Sequence, residues 1–312
     1  MEKVNKPLKS RVFGIICINV VLSQWNKSFS NKALRTIKGE IFSSDFSIKY
    51  VMKRFEKEYL GSEVFNMKSY TDELKPQTLD ERFQELCPEL AVKNQDRSLI
   101  VNRLLKFDDV RKYGMAFASN FGNLSIRGVT QVSMGINKCK TTNEMELQQL
   151  SQFSSEEGKI QTTLGTNYIL DKALFSYDYI IEPKILNEFA DIISEDCYYS
   201  QNDLDIFKKT ACKGVTVYKS TTKKGCYNDL SLFIELEEKS IFFPPSLTSL
   251  LEVKYEEKMR IYDFKKVAEL LKSSYEEIKS IEVFYNPYEV KIENFITSDK
   301  LKKFNIFNME EV

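Results

Sequence analysis

The chain has 312 residues, 42% of them hydrophobic, and its 45 basic residues are balanced by 45 acidic ones. That length and apolar content support a large core, in one elaborated domain or two. Zero net charge argues against a nonspecific polycation, and the absence of histidine excludes an imidazole base, a Ser-His-Asp or Cys-His arrangement and any histidine-held metal.

Residues 1–60 hold 12 Lys/Arg and 5 Asp/Glu, a net of +7, so the remainder carries −7. Such asymmetry predicts one basic face on a balanced molecule. A lysine-rich, merely solvated surface is the plainer alternative. Cys17, Cys87, Cys139, Cys197, Cys212 and Cys226 form no CxxC pair, which fits reduced thiols of a cytoplasmic protein better than a zinc site. Val12 to Leu22 is too short an apolar run to span a membrane, and nothing resembles a signal peptide.

In chain order, Val12 to Val21 predicts a central strand, apolar on both faces. Residues 23–41 form a polar loop with Trp25, Lys27, Lys32, Arg35 and Lys38, and no acid lies between Glu2 and Glu40. A helix follows. Ser43 or Ser44 is placed to cap it, Asp45 favours its positive end, and Ile48, Val51, Met52, Phe55 and Tyr59 mark its buried side. Lys49, Lys53 and Lys57 fall four apart and predict a basic stripe. Gly61 fits a C-terminal cap.

Residues 62–105 are mixed and polar and predict an insertion. Asp108 to Ala118 reads as a helical turn entering a tightly packed Gly/Ala segment, in which Asp109 and Gly114 are structural and Arg111 suits either an ion pair or a phosphate. Ile126 to Ile136 predicts a strand, residues 138–160 a long loop or finger, and Thr163 to Ile181 another strand. Asp203 to Lys213 predicts an amphipathic helix. The loop from Lys213 to Tyr227 then combines Lys219, Lys223 and Lys224 with Ser220, flanking glycines and the aromatics Tyr218 and Tyr227. Lysines neutralise phosphates, hydroxyls add short hydrogen bonds, and tyrosines stack on splayed bases; a solvated β-hairpin is the alternative. Trp25 suits either base stacking or a core anchor. A strand from Leu230 to Leu236, a helix from Asp263 to Lys279 and a strand from Ile281 to Tyr285 complete the order. That order predicts an α+β fold, a ferredoxin-like sheet with large insertions. No Walker loop or dinucleotide fingerprint is present, and no cofactor or metal is expected.

These pieces together resemble the crRNA-binding backbone subunit of type I CRISPR Cascade complexes, the seventh-subunit family of the RAMP superfamily, with a type I-B flavour. The resemblance rests on the strand Arg11–Leu22 with its basic loop, on Ser43-Ser44-Asp45 through Lys49 and Lys53-Arg54, and on Asp109-Val110-Arg111-Lys112-Tyr113-Gly114 followed by Gly128-Val129-Thr130-Gln131. The loop from Lys213 to Tyr227 completes it. Two family elements depart: an Asn-Gly-Asp-Pro-like loop is replaced by Gln24 to Asn31, and a Gly-Pro-Val-Gln element has lost its proline.

The resemblance implies a single domain over residues 1–312. It would have an RRM-like palm, finger-type insertions at 62–105 and 138–160, a thumb loop at 213–229 and a C-terminal extension at 240–312. It implies no catalysis. The partners it implies are crRNA, target DNA reached through the guide, copies of the chain head to tail, and other Cascade subunits, with no membrane. The implied RNA contacts are Lys27, Lys32, Arg35, Ser44, Lys49, Lys53, Arg54, Arg111, Lys219, Ser220, Lys223 and Lys224, with Trp25, Tyr218 and Tyr227 as stacking residues. A RAMP-type endoribonuclease acting on crRNA precursor or target RNA is the alternative, disfavoured by the missing histidine and the acid-free loop.

Overall fold

The computed structural model describes residues 6–92, 95–150, 164–194, 197–218, 220–256 and 259–312. The first strand, β1 (Val12–Ser23), is followed by the short hairpin β2 (Leu34–Arg35) and β3 (Ile41–Ser43), and then by helix α1 (Asp45–Tyr59). α1 stops at Leu60, and Gly61 takes the left-handed backbone at φ 71° that a terminal glycine supplies without strain.

The insertion contains α2 (Leu79–Leu86) and α3 (Arg97–Lys106), and leads to α4 (Asp108–Tyr113) and the hairpin β4 (Gly114–Ser119) with β5 (Gly122–Arg127). A reciprocal cap between Thr78 and Glu81 starts α2. Phe65 meets Phe107 edge to face and Phe83 at a tilt, and Phe83 meets Phe117 at a tilt, beneath these elements. Asp109 is structural, as expected: its two carboxylate oxygens accept from the Phe65 and Asn66 N–H groups, each at 2.8 Å. Gly114 sits at φ 74°, and a Cβ on Gly128 would collide with the Gly114 nitrogen and the Tyr113 carbonyl carbon. Two of the sequence motifs therefore close on each other, glycine against glycine.

Next come β6 (Thr130–Val132), β7 (Gly135–Asn137), β8 (Glu144–Leu150) and the long β9 (Leu164–Ile181). The strand expected over Ile126 to Ile136 is thus broken in two places. Gly128 turns the chain, and Gly135 lies flat under the Tyr177 ring, where a side chain would clash. Helix α5 (Gln201–Val217) and strand β10 (Cys226–Leu236) follow. α5 runs past its predicted end, so Gly214 is helical. It faces α1, where a Cβ would lie 3.7 Å from the Phe55 Cβ, in ordinary van der Waals contact. The C-terminal region adds α6 (Leu247–Leu250), β11 (Glu252–Glu256), β12 (Met259–Asp263), α7 (Lys265–Ser273), β13 (Ile278–Tyr285), β14 (Val290–Glu293) and β15 (Leu301–Asn305). The helix predicted to reach Lys279 ends at Ser273. Residues 278–285 pair with β10 instead, and the Lys300 ammonium holds the exit by donating to the Tyr275 and Ile278 carbonyls at 3.0 and 2.6 Å.

The main sheet runs β15-β13-β10-β1-β9-β7-β3-β2, with β6 and β8 also on β9. β1 is central and antiparallel to both β10 and β9. Its side chains serve two cores. Ile16, Ile18 and Val20 join Ile48, Val51 and Met52 of α1 and Phe207 and Ala211 of α5. Phe13, Ile15 and Cys17 join Val267, Ala268 and Leu271 of α7. The C-terminal region therefore covers the second face of the sheet, which is why β1 is apolar throughout. β9 pairs with β1 only from Leu170 onward. Before that it pairs with β8 alone, as a two-stranded ribbon continuing beyond the sheet. Of the finger predicted at 138–160, residues 144–150 form one strand of this ribbon; residues 151–163 lie outside the described residues. No helix among the described residues is long and apolar enough to cross a membrane.

Candidate nucleic-acid interface

The loop after β1 and the loop before β10 are distant in sequence and joined in space. The Gln24 N–H donates to the Thr222 carbonyl at 2.8 Å, the Val21 N–H to the Gly225 carbonyl at 3.0 Å, and the Gly225 N–H to the Ser23 hydroxyl at 2.9 Å. The late loop is short, residues 218–225, because α5 continues to Val217 and β10 begins at Cys226. It folds against the end of β1, and the thumb expected over 213–229 is in large part helix and central strand. Lys219 lies outside the described residues.

Trp25 is fully buried at 0% exposure, and its indole N–H donates to the Tyr177 hydroxyl at 2.6 Å. It is the core anchor of the basic loop, with no face open to a base. The Lys223 ammonium lies 4.6 Å from the Trp25 ring centroid and donates to the Trp25 carbonyl. Burial pulls this ammonium down to about 8, and the nearby Lys27 charge adds to the shift. Lys27 donates to the Asn167 side chain at 2.7 Å, and Lys32 is exposed, 5.1 Å from the Tyr168 ring centroid. Arg35 is exposed and bonds the Gly39 carbonyl at 3.0 Å and Glu144 at 3.2 Å. Lys224 is exposed at the end of the late loop, and Ser220 is half-buried at its start.

Asn26 connects this loop to α1. Its side-chain oxygen accepts from the Ser44 N–H at 2.7 Å and from the Ser44 and Ser43 hydroxyls at 2.9 and 3.2 Å. Ser44 occupies the N-cap position with extended backbone, but its hydroxyl makes no capping bond because Asn26 takes it. The basic stripe on α1 is not a row of free ammonium groups. Lys49 pairs with Asp45 at 2.7 Å, and Lys53 donates to the Asn66 carbonyl at 2.6 Å. Burial lowers the Lys53 pKa. Lys57 alone of the three is exposed. Arg54 turns to the opposite flank, donating through Nε to Glu58 at 2.7 Å, with its guanidinium 5.6 Å from the Tyr218 ring centroid.

Two further candidate residues are engaged within the fold. Arg111 is buried and held by Asp108 and Asp203 at 2.6 and 2.7 Å and by the Leu105 carbonyl at 2.9 Å. It joins α4 to α5, the ion-pair alternative of the two the sequence offered. The Tyr227 hydroxyl accepts from Asn19 at 2.5 Å and donates to Glu289 at 3.2 Å, so the ring is fixed between β1 and the C-terminal region.

The sequence missed the residues that hold the interface together. Asn26 ties the basic loop to α1, and Asn167 and Tyr168 meet Lys27 and Lys32. Glu144 of β8 places a carboxylate against the basic loop, accepting from the Ala33 N–H at 2.5 Å. The local sequence is acid-free, but tertiary pairing supplies the acid. No local pattern could have indicated this.

The family model described as CRISPR-associated protein Cas7 matches residues 10–286. A search of curated proteins gives no match. Among solved structures, a chain of "CRISPR RNA-guided surveillance complex, pre-nicking" is similar at TM-score 0.55 and 10% identity, covering 95% of this chain and 96% of that one. A chain of another "CRISPR RNA-guided surveillance complex" aligns at TM-score 0.43 and 9% identity, covering 95% and 93%. The likeness at TM-score 0.55 is of fold alone, whereas the family match extends over most of the sequence, and the chain is a member of the CRISPR-associated protein Cas7 family.

Proposed function

We propose that this protein is the crRNA-binding backbone subunit of a type I CRISPR Cascade surveillance complex, polymerising head to tail along the guide and presenting it to target DNA. The order β1, α1, β6/β7, β9, α5, β10, with β1 between β9 and β10, supports an RRM-like palm. The observation that carries the reading is the junction of the two basic loops, which gathers Lys27, Lys32, Lys223 and Lys224 with the N-terminus of α1 around one side of β1. A cluster of ammonium groups beside a helix N-terminus fits a sugar-phosphate strand. Sequence is then read by base pairing of the guide, not by this protein. Of the elements near the junction, the β8–β9 ribbon is the one that continues beyond the sheet, and it is the better candidate for a thumb that crosses the guide.

Catalysis forms no part of this role. The chain has no histidine, and burial pushes the Cys17 and Cys87 thiols up to about 12 and about 11, away from reactive thiolates. The test is recovery of guide RNA with the purified complex and binding that weakens steeply with salt. A preparation free of RNA at low salt, with no binding to added guide, would remove the proposal.

A further inference from the structure

Ile241 and Phe243 follow β10 and stand in water, 85% and 60% exposed. Their backbone is nonetheless held at several points. The Glu277 carboxylate accepts from the Ser240 hydroxyl at 2.7 Å and from the Ile241 and Phe242 N–H groups, each at 3.2 Å. Arg11 donates to the Phe242 carbonyl at 3.2 Å, with its guanidinium 3.9 Å from the Phe243 ring centroid. The Asp178 carboxylate fixes the far end, accepting from the Ser246 hydroxyl at 2.6 Å and the Thr248 N–H at 2.8 Å. This clamped segment borders a groove of about 390 Å³ with Phe13, Val132, Ile180, Pro244, Pro245 and Leu247 in its walls. An apolar face held ready in this way binds a partner with little ordering cost.

A second apolar feature lies at the other end of the central strand. Phe29 and Ile37 are fully exposed at the tips of two turns, one closed by the Ser28 N–H on the Lys32 carbonyl at 2.8 Å, the other by the Thr36 N–H on the Glu40 carbonyl at 2.9 Å. Their loop leans on the β8–β9 ribbon through Lys27 and Arg35, and that ribbon continues beyond the Ser23–Leu170 pair. The groove sits at the opposite end, where β6 pairs with the part of β9 that faces residues 12–14. The 12 residues of β1, roughly 36 Å of strand, run between the two.

Charge sets which surface meets which. Lys32 and Lys38 are exposed in the loop that carries Phe29 and Ile37, and Glu237 and Glu276 are exposed next to the Glu277 clamp. None of these four is in an ion pair among the described residues. Two loops face to face would set lysine against lysine, and two grooves glutamate against glutamate. Loop against groove joins opposite charges and buries apolar side chains together. We propose that Phe29 and Ile37 of one copy of this chain seat in the groove at 241–247 of the next. Because the two surfaces differ and lie at opposite ends of β1, the contact is heterologous and repeats into an open row. The proposal rests on the backbone reading above and names the surfaces by which copies join.

The test uses the full chain on single-stranded RNA, with Ile37→Cys and Ile241→Cys joined by a bismaleimide. All six native cysteines are buried, so the introduced pair supplies the reactive thiols. The double variant should give a ladder of dimers, trimers and longer products. A mixture of the two single variants should give dimers only, and each single variant alone monomers. A second variant, Ile241→Lys, sets a cation against the basic loop at a position too exposed to matter for folding. It should lower the loading of several copies on one long RNA, counted by mass photometry, by about tenfold, the scale of one buried aliphatic side chain. Affinity for an oligonucleotide that holds one copy should stay as in the wild type. Dimers from one single variant alone would mean a two-fold contact and overturn the proposal. A missing ladder, or loading unmoved in Ile241→Lys, with RNA still bound, overturns it and leaves the backbone role standing. No RNA binding by the wild-type chain overturns contact and role together.

Discussion

The Lys223 ammonium rests 4.6 Å from the centre of the Trp25 ring and bonds the Trp25 carbonyl, joining two basic loops that the chain separates by most of its length. Trp25 itself is anchored by its bond to Tyr177 on β9. The lone tryptophan thus serves the interface from within: it fixes where the lysines stand and touches no ligand.

Lys223 makes stability depend on pH. Below about pH 8 the ammonium is protonated folded and unfolded, and the cost of burying it is felt in full. Between about 8 and the ordinary lysine value of 10.5, the unfolded chain binds a proton that the folded chain has lost, so this group's contribution to stability rises with pH. Urea midpoints of wild type and Lys223→Met should diverge across that window in favour of the wild type. A difference that is flat with pH contradicts the burial of this ammonium.

Replacing Trp25 by alanine empties a fully buried site and removes the indole N–H from the Tyr177 hydroxyl. The expected loss is about 3–5 kcal/mol, the range for truncating large buried aromatics, measured by chemical denaturation. RNA binding by the remaining folded fraction should weaken as well, because the lysine geometry rests on this side chain.

Glu56 and Lys112 form a fully buried ion pair at 2.7 Å, with exposures of 0 and 1% in their side chains. Burial raises the Glu56 pKa, and the Lys112 charge opposes that shift. Glu56→Leu alone leaves an uncompensated ammonium and should cost about 3–5 kcal/mol, whereas Glu56→Leu with Lys112→Met should recover most of it. Equal loss in the single and double variants would show that packing, not charge, dominates.

Gly128→Ala drives a methyl group into the backbone of Gly114 and Tyr113. A destabilisation of about 2 kcal/mol or more is expected, as for other backbone collisions in packed sites. A thermal shift scan reads it, and an unchanged midpoint would mean that the two motifs do not close on each other in solution.

Much of the fold was legible because β1, α1, β9 and β10 are buried elements whose apolar periodicity is set by the core they face. Where the sequence misled, a tertiary contact had won. Gly214 read as a loop residue because a helical glycine is costly, yet α5 continues through it to Val217, packed beside α1. The Lys49 and Lys53 stripe was real as spacing, but Asp45 and the Asn66 carbonyl consume those donors. Arg111 suited either an ion pair or a phosphate in the sequence, and the acids that hold Arg111 and Lys112, Asp203 and Glu56, come from other helices. Charge patterns predict where cations lie along the chain. They do not say which carboxylates fold onto them.

Salt dependence of guide binding tests the central claim most directly. If the junction of the two loops grips a single RNA strand, replacing Lys27, Lys32 and Lys224 by alanine should reduce the slope of log affinity against log salt by roughly 2, at about 0.7 for each phosphate no longer neutralised. An unchanged slope, with RNA still bound by the triple variant, would place the guide on another face of the molecule.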